Sequence, residues 1–192
     1  MEPRFDNLIV ISDDNDEISD DDREEYAQQR ATKFVDMVAK KIPLSERDLY
    51  ELTREVYIGD EVLNVAQASL KITYPDSHGL QDTVLGSWYN FKAVVPNAPM
   101  VQILHNGGVH WLAVTTYGTS LANEIVIMDS LLHRRGRKYH IPTQVLAQCA
   151  NLLKPTTKHM TVHIENVQQQ TNGVDCGVFA VAFTQYVLEH KR

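Results

Sequence analysis

Acidic side chains crowd into one end of this chain, and that crowding decides which residues are able to build a core. Of the 25 Asp and Glu residues, eleven fall within residues 1–25, beside only two of the 18 Lys and Arg, a local net charge of −9. Residues 26–192 hold 14 acidic and 16 basic groups, so the overall charge of −7 belongs to a tail and not to the body. Apart from one short apolar run, residues 1–21 cannot bury enough surface to offset the entropy of ordering, and they read as a disordered acidic tail. Residues 22–192 are long and apolar enough for one globular domain, expected to be monomeric. No stretch approaches the roughly 18 consecutive apolar residues of a membrane span, and the start carries neither a basic leader nor a long apolar segment. With only Cys149 and Cys176 there is no disulfide framework. A reducing compartment, nucleus or cytoplasm, is the expectation, without membrane contact.

The body changes period along its length. Ala27, Ala31, Phe34, Val35 and Val38 follow helical spacing between Asp22 and Lys41, with acids early and lysines late, matching the helix dipole. Ser45 with Asp48 three residues on resembles a capping box that opens a helix reaching about Val56. Asp60 is placed to cap a third helix through about Ile72, with Val62, Leu63, Ala66 and Leu70 inward. After an irregular stretch from Pro75 to Asn97, three β-rich runs follow: Met100 to Leu104, Val109 to Tyr117 and Glu124 to Asp129. A helix from Pro142 to Leu153, a strand from Met160 to Val167 and a helix from Gly177 to Glu189 complete the pattern. Helices, then strands, then mixed elements predict an α+β fold around a central, mostly antiparallel sheet flanked by helices.

Chemistry concentrates near the C-terminal end, in Gln170-Thr171-Asn172-Gly173-Val174-Asp175-Cys176-Gly177-Val178-Phe179. Asn-Gly supplies a tight turn, and Cys176 falls where that turn enters the last helix. Unsatisfied N–H groups and the positive dipole end there favour a thiolate. The ordinary fate of a lone intracellular cysteine is to fill a core, and Cys149, among Val145, Leu146, Ala150 and Leu152, fits that description. A cysteine nucleophile also needs a base, a group to orient the base and donors for an oxyanion. His110 lies on a predicted strand beside Trp111, the next strand ends at Asp129, and Gln170 stands six residues before Cys176.

His110-Trp111 on one strand, an apolar strand ending in Asp129-Ser130-Leu131, and the Gln-x-Asn-Gly-x-Asp-Cys-Gly-x-Phe segment together closely resemble the ubiquitin-like-protein-specific cysteine protease family (Ulp/SENP type). Its wider clan includes the adenovirus-type proteases, and the resemblance runs from about Leu49 onward. It implies a papain-like, adenain-like cysteine protease fold over 22–192. Cys176 would be the nucleophile, His110 the general base and later acid, Asp129 the orienter and Gln170 the oxyanion donor. Trp111 matches the lid of a narrow tunnel that admits a Gly-Gly tail because no side chain passes. Tyr57-Ile58-Gly59-Asp60-Glu61-Val62 resembles the family's Trp-Leu-x-Asp-x-x-Ile segment; Asp60 would face a basic residue of the modifier, and Tyr57 replaces the usual tryptophan. The implied activity is cleavage after the Gly-Gly of a ubiquitin-like modifier, SUMO above all, by deSUMOylation or precursor processing, with no cofactor. An acetyltransferase of the same clan and a catalytically idle modifier-binding module are the rival readings.

Other features are plainer. His105 and His110 flank a Gly-Gly turn and lack the spacing of paired metal ligands, so no metal is expected. His133-Arg134-Arg135-Gly136-Arg137-Lys138 reads as a solvated loop, and with a near-neutral body nucleic-acid binding has little support. In the tail, Leu8, Ile9, Val10 and Ile11 followed by acids resemble a SUMO-interacting motif, which would add a strand to the modifier's sheet edge. The same run also suits an edge strand of the host.

Overall fold

Strands that are apolar at nearly every position need cover on both faces, and this sheet has it. The computed structural model describes residues 7–10, 25, 44–54, 56–96, 98–120, 122–132, 140–155 and 159–190. The predicted helix over 22–41, the basic run at 133–138 and Ile11 lie outside the described residues, apart from Glu25, which is helical. Among the described residues, six strands form one sheet in the order β1-β6-β5-β4-β3-β2. They are β1 (Asn7–Val10), β2 (His78–Gly79), β3 (Met100–His105), β4 (Trp111–Thr115), β5 (Glu124–Met128) and β6 (His159–Ile164). The helices are α1 (Glu46–Thr53), α2 (Asp60–Thr73), the single turn α3 (Val84–Ser87), α4 (Thr143–Leu153) and α5 (Cys176–His190).

Alternation along β3 and β4 divides the core. Met100, Leu104, Leu112 and Val114 pack with Val145, Cys149 and Leu152 of α4. Val101 and Ala113 join Val187 and Leu188 of α5, while Ile103 and Trp111 join Val62 and Leu63 of α2 and Cys176 and Ala180 of α5. The sheet is therefore sandwiched between α4 on one side and α2 with α5 on the other. Buried residues of α5, Cys176, Gly177, Ala180, Thr184, Val187 and Leu188, fall along one face of the helix, so its first residue faces the protein interior.

Several expectations need correction. The sheet is mixed: β3–β4, β4–β5 and β1–β6 are antiparallel, whereas β5–β6 and β2–β3 are parallel. A strand that returns through a helix, as β6 does through α4, comes back parallel to its neighbour. Asp60 does not cap α2; Gly59 does, and Asp60 opens the first turn. The inward face of α2 holds Asn64 and Gln67 beside Val62, Leu63 and Ala68, while Ala66 is only half-buried. Those amides are buried because each has partners. Asn64 donates to Asp82 Oδ1 at 3.0 Å and accepts from Thr83 N at 2.9 Å, and Gln67 donates to Gln81 O at 2.7 Å while accepting from Gln102 Nε2 at 3.1 Å. This network ties α2 to β3 and so fixes the corner at Tyr57–Asp60. The Ser45–Asp48 capping box is present as expected.

The tail segment Asn7–Val10 pairs antiparallel with β6, Asn7 opposite Val162 and Val10 opposite His159. Over these four residues the host-edge role applies, in place of the disorder expected from composition. At the opposite edge, β2 depends on Gly79, whose φ of +80° suits glycine and whose Cα approaches β3 so closely that a Cβ would lie 2.1 Å from Val101 O. Gly79→Ala is expected to destabilise the fold by roughly 2–4 kcal/mol. A urea midpoint that does not move would contradict this.

Candidate active site

His110 and Asp129 are brought together by two neighbouring strands. The Asn106-Gly107-Gly108 turn reverses the chain so that His105 faces Trp111 across the β3–β4 pair. Asn106 Oδ1 accepts from Gly108 N at 2.8 Å, and Asn106 N donates to His110 O at 3.0 Å, closing the turn. His110 was expected on the strand; it is the residue immediately before β4, where the turn leaves its ring free to reach sideways. Asp129 is the residue immediately after β5. His110 Nε2 lies 2.7 Å from Asp129 Oδ1, which also accepts from Leu131 N at 2.7 Å. A carboxylate only accepts, so Nε2 carries the hydrogen and Nδ1 is the nitrogen left for a nucleophile.

That nitrogen is buried with no hydrogen-bond partner of its own, and Cys176 is close enough to act on the ring along with Asp129. Burial opposes charge on His110, but hydrogen bonds and charge from Asp129 and Cys176 outweigh it and raise its pKa to about 9. The imidazolium is therefore the stable form at neutral pH. Cys176 is held by its own loop: Asn172 Oδ1 accepts from Val174 N and Asp175 N at 3.1 and 3.0 Å, and Asn172 Nδ2 donates to Asp175 Oδ2 at 2.7 Å. Asp175 O then accepts from Phe179 N, starting α5. Cys149 is a different kind of thiol, fully buried on α4, where burial pushes its pKa up to about 12.

The three residues expected to bind substrate also meet. Tyr57, Asp60 and Trp111 line one cleft of about 360 Å³ with His105, Gly59 and Gly108. Trp111 Nε1 donates to Ile58 O at 2.9 Å, and the Tyr57 and Trp111 rings stack with centroids 6.2 Å apart. Cys176 and Trp111 belong to one buried cluster, against which Tyr57 packs, so two residues that line the cleft pack in the same cluster as the thiol. Gln170 is anchored beside Asp129: its backbone N–H donates to Ser130 O at 2.9 Å.

Sequence reasoning overlooked His105 as part of this site. Its ring lies 4.4 Å from that of Trp111, and its Nε2 is 3.1 Å from the Tyr57 hydroxyl. Burial first, then the charge of His110, lowers its pKa, with Asp60 opposing. Pairing the two strands about the Asn-Gly-Gly turn is the signal that places it opposite Trp111. Ser130 and Gln169 were overlooked as well, since neither belongs to any periodic pattern. Among the described residues no cluster of three or more His, Cys, Asp or Glu is arranged to hold a metal, and no helix is long and apolar enough to cross a membrane.

This geometry can be compared with known proteins. No curated protein sequence matches the chain. Its fold is similar to that of the SUMO protease Ulp1 with its catalytic cysteine oxidised to a sulfinic acid, at 14% identity, covering 92% of this chain and 87% of that one with a TM-score of 0.57. It is also similar to a de-sumoylating protease (16% identity, 76% and 68% coverage, TM-score 0.52). A third similar structure is the C-terminal Ulp1 protease domain in complex with Smt3, the yeast ortholog of SUMO (16%, 83% and 85%, 0.53). Residues 82–192, more than half of the chain, match the family model of the Ulp1 protease family, C-terminal catalytic domain. The match takes in His110, Asp129, Gln170 and Cys176, and the chain belongs to the Ulp1 family of cysteine proteases.

Proposed function

We propose that this protease cleaves after the C-terminal Gly-Gly of a ubiquitin-like modifier, SUMO above all, acting on conjugates or precursors. The observation that carries the reading is the 2.7 Å His110–Asp129 pair, the His110 pKa raised by Asp129 and then Cys176, with the next residue, Trp111, walling a cleft together with Tyr57. In this reading the Cys176 thiolate attacks the carbonyl carbon of the last glycine. The oxyanion receives hydrogen bonds from the Gln170 amide and the Cys176 backbone N–H. His110 gives its proton to the leaving lysine amine, leaving a thioester; water, deprotonated by His110, then releases the modifier acid and regenerates the thiol. Closely spaced aromatic walls favour a substrate segment without side chains, and Asp60 offers a carboxylate to a basic residue of the modifier.

The Tyr57 hydroxyl, held by His105, sets the position of one wall. Tyr57→Phe is expected to raise KM about two- to tenfold with little change in kcat, the scale of one lost hydrogen bond. An unchanged KM would remove Tyr57 from the substrate path. In the tail, Leu8, Ile9, Val10 and Ile11 would supply a second contact by strand addition. β1 is the edge strand of the sheet, paired with β6 along one side, so a modifier strand would add along its outer side.

The reading is tested with SUMO extended beyond its Gly-Gly, SUMO conjugated to a lysine, and the same set made with ubiquitin. Cleavage after the second glycine, blocked when that glycine is replaced by alanine, supports it. Acetyl-CoA turnover without cleavage would favour an acetyltransferase, and modifier binding without either reaction would favour a binding module.

A further inference from the structure

An amide donates to an oxyanion only if its nitrogen, and not its oxygen, points at the substrate. Two contacts settle which way the Gln170 amide is turned. Its Nε2 lies 2.8 Å from Asn172 O, a carbonyl that can only accept, so the nitrogen must be on that side. Its Oε1 accepts from the Ser130 hydroxyl at 2.5 Å. Ser130 is 2% exposed and Gln170 8%, so water does not compete for this bond. With Oε1 engaged by Ser130 and one Nε2 hydrogen on Asn172, the other Nε2 hydrogen remains for an incoming oxyanion.

Ser130 is also the residue that follows the His110 partner, Asp129. Gln170 N donates to Ser130 O, and Gln169 Nε2 donates to Asp129 O at 3.0 Å, so residues 129–130 and 169–170 are clamped by three bonds. One turn thus holds the acid that orients the base and sets the amide that receives the oxyanion.

We propose that Ser130 is a positioning residue for catalysis, its hydroxyl locking the Gln170 amide with nitrogen toward the oxyanion. The inference rests on the reading of Gln170 as the oxyanion donor. Without the hydroxyl, Oε1 loses its donor in a dry site and the amide rotates or wanders, while the clamp's two other bonds, Gln170 N to Ser130 O and Gln169 to Asp129 O, survive.

The test is a double-mutant cycle on the full chain, read with an extended SUMO substrate and with SUMO carrying a C-terminal aldehyde. Cys176 adds reversibly to the aldehyde carbon, forming the S–C bond as the carbonyl π pair moves to oxygen, which takes up the proton held by His110; the product is tetrahedral. Ser130→Ala is expected to lower kcat about ten- to hundredfold with KM within twofold. Aldehyde affinity should fall by a similar factor while affinity for the product acid is unchanged. In a Gln170→Ala background, Ser130→Ala should cost nothing further. An equal loss in both backgrounds, or a loss tracking a lower melting temperature, would make Ser130 merely structural and overturn the proposal. So would wild-type kcat in Ser130→Ala beside a large loss in Gln170→Ala. If Gln170→Ala itself has wild-type kcat, the oxyanion reading beneath the proposal fails.

Discussion

Cys176→Ala is expected to reduce turnover of an extended modifier by at least ~10⁴-fold while leaving modifier binding close to wild type. No other thiol can take over: Cys149 is enclosed on α4 and its proton is held up to a pKa of about 12. The variant should fold, because Cys176 is fully buried at the start of α5 and alanine removes only a sulfur atom from the cluster of Ile58, Leu63 and Trp111. A second signal comes from His110. Cys176 helps to raise its pKa, so NMR titration should find the histidine titrating lower in the variant than in the wild type. Residual cleavage within a hundredfold of wild type would mean that another group performs the attack.

Asp129→Asn is expected to lower kcat on the order of 10²- to 10⁴-fold, because the neutral amide no longer stabilises the imidazolium that protonates the leaving amine. The pH profile should change with it. In the wild type, His110 keeps its proton up to about pH 9, so the rate should fall above that pH as the general acid is lost. In the Asn variant the alkaline limb should move down toward the ordinary histidine range. Stability follows the same sign. A histidine whose pKa is raised from 6.5 to about 9 on folding contributes stabilisation that is complete below 6.5 and lost as pH rises through 9. The stability difference between wild type and Asp129→Asn should therefore shrink over that window. Indistinguishable alkaline limbs in the two proteins would contradict the pairing.

Much of this was legible from local chemistry. Apolar runs located β3, β5 and α4, the Ser45–Asp48 box located α1, and Cys176 was placed at the start of a helix by the Asn172-Gly173 turn before it. What could not be read depends on partners distant in the chain. Asn64 and Gln67 look like solvent-facing residues until Asp82, Gln81 and Gln102 are brought to meet them. β2 is two residues long and exists because Gly79 can approach Val101, a property of the pair and not of either segment. The parallel β5–β6 pair follows from the α4 crossover, whereas reading turns alone suggested antiparallel neighbours. Asp60 looked like a helix cap because caps and carboxylates share a residue type; Gly59 takes the cap, and the Asp60 carboxylate lines the cleft. His110, Asp129, Gln170 and Cys176 were singled out because the proposed chemistry restricts residue type at each position; Ser130 was quoted only as part of the Asp129-Ser130-Leu131 run, since its bond to Gln170 shows only in the fold.

The central claim is that Cys176 attacks the C-terminal carbonyl of a Gly-Gly modifier presented through the Tyr57–Trp111 cleft. It is tested most directly by incubating the full chain with SUMO, ubiquitin and related modifiers whose last glycine carries an electrophile, then mapping the adduct by mass spectrometry. One modifier per chain, attached at Cys176, absent from Cys176→Ala and never found on Cys149, is the predicted result. Binding of the modifiers with no adduct at Cys176, or an adduct that persists in Cys176→Ala, would contradict it.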